Sequence, residues 1–185
     1  MITDIIKYGK KIVYTGLATS FFGNISIKVD GHIFITKTGS ILDELSENDI
    51  IKVNESKRSE FDKIASSELP VHRAIYNNTT AKAIIHAHNI YSIVIADKAD
   101  GYISFESGEI LPFLDKVPVV EGKSGSSELA MNVSNAMMLN DVVIVRGHGV
   151  FVSGIDLKNC YIKISALEYY AKLNYLKKNY YENIH

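Results

Sequence analysis

The chain has 185 residues, 46% of them hydrophobic, with 20 Lys or Arg against 21 Asp or Glu for a formal net charge of −1. That length suits one domain with a sizeable core, and the balanced charge excludes the basic footprint of a nucleic-acid partner or of an anionic membrane surface. One cysteine, Cys160, excludes an intrachain disulfide; with no secretion-signal layout and no apolar run near the ~18 residues that span a bilayer, a cytoplasmic protein is expected.

Residues 4–14 carry apolar side chains at helical spacing (Ile5, Ile6, Tyr8, Ile12, Val13), and Gly16 stands where a C-cap is expected. Two alternating segments, 24–30 and 32–36, meet across Asp30-Gly31, the two-residue signal of a β-hairpin. A polar loop at residues 37–40 leads to a short strand over 50–53. A helix over 68–77, a strand over 83–86 and a helix over 90–96 follow. Between Phe105 and Val120, Pro112 and Pro118 interrupt the apolar residues, so loops and short strands are expected. A helix over 126–138 comes next, with Ser126 or Ser127 as N-cap and Glu128 favouring the first turn. Residues 142–145 read as a buried strand and 157–178 as a long helix, with a frayed tail ending at His185. Cys160 lies in an apolar helical stretch and is expected in the core. These elements predict an α/β fold, a single domain over 1–185 with a central mixed, largely antiparallel sheet flanked by helices. Residues 16–23 lack a Rossmann or P-loop glycine pattern, so no nucleotide is expected.

His86 and His88 end one apolar run, and His148 stands between two glycines after another. Residues two apart in a strand share a face, so two imidazoles can reach one ion. Each motif alone has an ordinary reading, as a half-exposed strand face or a turn. Both, however, stand where a β-branched segment ends, the place where α/β folds carry functional groups. Three neutral imidazoles leave the ion its positive charge and an open position for a carboxylate, water or substrate oxygen. Glu68, in Ser66-Ser67-Glu68 ahead of a helix, is the available carboxylate, although that tripeptide read alone is a capping sequence. Zn2+ is the expected ion, with another divalent metal as the alternative. His32 belongs to the hairpin, and His72, one turn beyond Glu68, is expected to pack or to orient that carboxylate.

The ordered set Gly23-Asn24-Ile25-Ser26, Thr38-Gly39, Ser66-Ser67-Glu68, His86-Ala87-His88 and Gly147-His148-Gly149 resembles the class II aldolase family across nearly the whole chain. The resemblance implies zinc ligation by His86, His88 and His148, with Glu68 as a carboxylate that can ligate the empty metal site and move to acid/base work. It implies that Asn24, Thr38, Gly39, Ser66 and Ser67 hold the phosphate of a small phosphorylated sugar. The implied reaction is reversible cleavage of an L-fuculose 1-phosphate-like ketose to dihydroxyacetone phosphate and a short aldehyde such as L-lactaldehyde, without a lysine Schiff base. The implied assembly is a homotetramer with sites between subunits.

The residue chemistry agrees, since Gly23 and Gly39 let backbone amides approach an anion, while hydroxyls and an amide donate without net charge. Ser66 and Ser67 would also stand at a helix N-terminus, which favours phosphate. A pentulose-phosphate 4-epimerase or a methylthioribulose-phosphate dehydratase is the alternative on the same metal site. A non-catalytic module, as in adducin-like relatives that lack the metal histidines, is the third reading. One departure from the family stands out. Phe105, with Glu106 beside it, falls near the position at which aldolases of the family carry a tyrosine that donates a proton to the aldehyde fragment from a neighbouring subunit, so either Tyr102, Glu106 or a water replaces it or the chemistry differs.

Overall fold

The computed structural model describes residues 1–105 and 112–182. Helix α1 (Ile2–Tyr14) is followed by strands β1 (Gly23–Val29), β2 (His32–Thr36) and β3 (Ile50–Asn54), then by helix α2 (Leu69–Asn78), strand β4 (Ala83–Ala87) and helix α3 (Ile90–Ala96). Strands β5 (Tyr102–Ile103) and β6 (Val117–Val120) precede helix α4 (Ser127–Met137), strands β7 (Val142–Val145) and β8 (Gly149–Gly154), and the long helix α5 (Leu157–Glu182).

The strands form one sheet in the order β3-β2-β1-β4-β8-β7-β6-β5. The β6–β7 pair is parallel and the remaining pairs are antiparallel, so the expectation of one mixed, largely antiparallel sheet holds. Short connections explain that bias: Asp30 and Gly31 have φ of 48° and 72°, the two left-handed residues that a tight hairpin needs between β1 and β2.

Alternation along each strand gives the sheet two apolar faces. Ile25, Ile85, Ile144, Val150 and Val152 pack with residues of α1, α3 and α5 on one face. Ile33, Ile35, Ile84, Val143 and Phe151 pack with residues of α2 and α4 on the other. Cys160 lies fully buried in the first of these cores, where burial pushes its thiol up to about 12. It is a packing residue, as expected.

Sequence reading misses β8, because Gly147-His148-Gly149 reads as the end of a strand and not as a hairpin turn returning into Val150-Phe151-Val152. The apolar run after the second glycine is the available signal. Helix α5 continues past the expected end at 178 through Tyr180, which is an exposed surface residue as expected, while His185 lies outside the described residues. Ser126 is the N-cap of α4 and accepts from the Leu129 N–H at 3.0 Å.

Gly23 opens β1 at the point where it joins β4. Its φ of +125° disfavours any side chain, and a Cβ there would stand 2.6 Å from the His86 carbonyl oxygen. Gly23→Ala should therefore cost roughly 3 kcal/mol of stability from backbone strain and overpacking together. Urea unfolding measures this directly, and an unchanged midpoint would contradict the close β1–β4 approach.

Candidate metal centre and its cavity

Strand β4 lies near the middle of the sheet, and His86 is in register with Asn24 of β1 on one side and Phe151 of β8 on the other. The ring of His86 stacks on Phe151, with centroids 4.0 Å apart, and His88 follows directly after the strand. His148 comes from the β7–β8 turn, where Gly147 takes φ +63° and the His148 N–H donates to the Val145 carbonyl at 3.0 Å. Because β8 pairs with β4, this turn sits beside the end of β4. The three rings meet with centroids 4.8–5.0 Å apart, and one ligand nitrogen from each lies within 4.8 Å of the others.

The electrostatics favour a cation. The Nδ1–H of His86 donates to the Val150 carbonyl at 3.0 Å, which leaves Nε2 with its lone pair. Burial, followed by the neighbouring His148 and His88, holds His86 well below its ordinary pKa of 6.5. Burial and then His148 lower His88 to about 4. Burial also lowers His148, against the opposing pull of Glu68. At neutral pH the three rings are therefore uncharged donors, the form that a metal binds.

Glu68 reaches this cluster from the N-cap position of α2 and is 2% exposed. Its Oε1 accepts from the Ser124 hydroxyl and from the Gly125 N–H at 3.2 Å, and it lies 3.8 Å from His148 Nε2. Its Oε2, like Nδ1 of His148, is buried with no hydrogen-bond partner among the described residues. Buried polar atoms are rarely left unpaired. Two such atoms beside three neutral imidazoles fit a divalent cation with a carboxylate at hand.

A cavity of ≈ 380 Å³ adjoins the cluster. All ten residues singled out in the sequence, namely Gly23, Asn24, Thr38, Gly39, Ser66, Ser67, Glu68, His86, His88 and His148, line it together. Gly39 takes φ +75° with open space around it, so its role is conformational. The amides of Gly39 and Ser67 have no intramolecular acceptor among the described residues and are available to an anion. A larger groove of ≈ 820 Å³ opens on the far side of Ser66 and Ser67, between α2 and α4, but it contains none of the clustered histidines.

Sequence reading misses Ser124, which holds Glu68, and Lys37 and Ser40, which line the cavity beside Thr38. It also misses Phe21 and Phe22, which stand exposed at the same cavity, Phe22 stacking on His88 at 5.2 Å. Two adjacent aromatics directly before Gly23 are the legible hint. His72 does not orient Glu68. It is fully buried and bonded to Asn24 and Ser26, while His32 bonds to the Asp30 carbonyl out on the hairpin. Phe105 is 2% exposed and packs in the core against Tyr170. Glu106 lies outside the described residues.

Residues 3–175 match the family described as Class II Aldolase and Adducin N-terminal domain. The chain belongs to that family. This class II aldolase is 36% identical over 159 residues to an L-fuculose phosphate aldolase of Methanococcus maripaludis, covering 85% of this chain and 86% of the relative. It superimposes on the crystal structure of l-fuculose-1-phosphate aldolase from Thermus thermophilus with a TM-score of 0.88 and 26% identity, over 95% of this chain and 93% of that one. Relatives named for other reactions share the family. A methylthioribulose-1-phosphate dehydratase of Methylococcus capsulatus is 28% identical over 180 residues, with 90% of this chain and 88% of the relative covered. No helix among the described residues is long and apolar enough to cross a membrane.

Proposed function

We propose that this class II aldolase is a zinc-dependent lyase that cleaves a phosphorylated ketose of the L-fuculose 1-phosphate type, reversibly, to dihydroxyacetone phosphate and a short aldehyde such as L-lactaldehyde. The observation that carries the reading is the convergence of His86, His88, His148 and Glu68 on one cavity lined by neutral anion donors. Bound there, the metal supplies Lewis-acid stabilisation of the negative charge that develops on the substrate oxygens as the carbon–carbon bond breaks.

The protein supplies the rest. The hydroxyls of Thr38, Ser66 and Ser67, the Asn24 amide and the N–H groups of Gly39 and Ser67 are assigned to the phosphate, close to the first turn of α2, whose macrodipole favours an anion. Glu68 carries the proton. Its Oε1 is held by Ser124 and Gly125, so Oε2 is the oxygen left to return a proton to the carbon that has lost its partner. Phe21 and Phe22 give the cavity an apolar rim suited to an aldehyde fragment that ends in a methyl group. A homotetramer with sites between subunits is the proposed assembly, in keeping with the exposed apolar side chains of Met131, Met138 and Leu139.

The test is zinc-dependent release of dihydroxyacetone phosphate from L-fuculose 1-phosphate, followed by a coupled assay with a chelator control. Release that the chelator abolishes and zinc restores is expected. Stoichiometric zinc without release would overturn the aldolase assignment. It would favour the dehydratase or epimerase reading, for which a buried Phe105 in place of a proton-donating tyrosine is the motivating observation.

A further inference from the structure

Four buried polar side chains behind the cavity form an unbroken hydrogen-bonded row. Tyr76 Oη lies 2.7 Å from Ser26 Oγ, Ser26 Oγ lies 2.7 Å from His72 Nδ1, and His72 Nε2 lies 2.6 Å from Asn24 Oδ1. Asn24, Ser26, His72 and Tyr76 are between 0% and 6% exposed, so none of these contacts is replaced by bulk water. The row links α2 to β1, and its last member lines the cavity opposite His86.

Two hydrogen-bond directions are conceivable along such a row, and they differ at one end. In the first, the Tyr76 O–H donates to Ser26, the Ser26 O–H donates to His72 Nδ1, and the His72 Nε2–H donates to the Asn24 carbonyl oxygen. Every proton then has an acceptor. In the second, each bond is reversed and the Tyr76 O–H is left without an acceptor among the described residues, since Ser26 is its hydrogen-bond partner. A buried hydroxyl stripped of its acceptor costs about 1–3 kcal/mol, enough to decide the direction.

We infer that the Tyr76–Ser26–His72 row is a positioning device that locks the Asn24 amide with its oxygen turned inward and its NH2 turned to the cavity. Asn24 is then a donor to whatever occupies the adjoining space, and an anion is the chemistry that fits. A flipped amide would face the anion with its carbonyl and repel it. His72 is accordingly a positioning residue, acting through Asn24 with no contact to substrate. The inference rests on the proposed phosphate role of Asn24, and it adds the reason why an uncharged residue serves there.

The test uses the zinc-loaded protein with inorganic phosphate as the probe, titrated by calorimetry, together with 15N NMR of the histidine rings. The NMR should show the His72 proton on Nε2. His72→Leu and Ser26→Ala should each weaken phosphate binding by about tenfold or more, the worth of a hydrogen bond to a charged group, at unchanged zinc stoichiometry. His72→Gln, which keeps one acceptor and one donor, should restore binding to within about threefold of wild type, a residual well under the worth of that bond. A proton found on Nδ1 overturns the inference, and so does an equal loss in His72→Gln and His72→Leu, which would reduce the histidine to packing. Wild-type protein that binds no phosphate would refute the phosphate assignment of the cavity, while the ring-nitrogen result still decides the direction of the row.

Discussion

If the protein is the proposed zinc lyase, Glu68→Gln should keep the metal and lose about 10³-fold in kcat, within the range that general acid–base catalysis supplies. The amide has nearly the shape of the carboxylate, and its oxygen can still accept from the Ser124 hydroxyl and the Gly125 N–H that hold Oε1. Three imidazoles remain to bind the ion. What disappears is the second oxygen, now without a partner and able to take and return a proton. Metal analysis together with steady-state kinetics separates the two functions. Full turnover in this variant would remove Glu68 from the proton-transfer step, and loss of zinc would make it chiefly a ligand.

The metal itself should be the larger effect. His86→Ala should abolish both zinc binding and turnover, and His148→Ala should do the same with a smaller cost in stability. The difference lies in their surroundings. His86 is buried against Phe151 and donates to the Val150 carbonyl. Truncating it opens a cavity and removes a buried hydrogen bond, for about 3 kcal/mol in all. His148 stands on a hairpin turn with Nδ1 unbonded, so its removal leaves few groups unsatisfied. Metal content and urea midpoints of the two variants measured together are the check. Equal destabilisation would contradict the burial difference, and zinc retained at full stoichiometry in either variant would exclude that histidine as a ligand.

Much of the site is legible locally. The spacing of His86 and His88 on one strand, the Gly-His-Gly turn and the Ser66-Ser67-Glu68 approach to a helix each state where a side chain points relative to its own backbone. The hairpin at Asp30-Gly31 and the N-cap at Ser126 are readable because turn and cap chemistry depends on neighbouring residues alone. Strand β8 is hidden because the glycines beside His148 serve two purposes at once, turning the chain and clearing space. A Cβ on Gly149 would meet the Ala87 carbonyl oxygen at 2.7 Å and the His86 ring at 3.0 Å.

The residue types of the site, the period of each element and the near-neutral charge are all written in the order of amino acids along the chain. Which of those residues become neighbours is settled only by folding. His148 reaches His86 because β8 pairs with β4, Ser124 reaches Glu68 from the loop before α4, and His72 turns away from Glu68 to hold Asn24. Backbone periodicity encodes direction over a few residues and no further. Strand pairing joins segments far apart in the chain, and the burial it produces sets which histidines stay uncharged and which amide face an anion would meet.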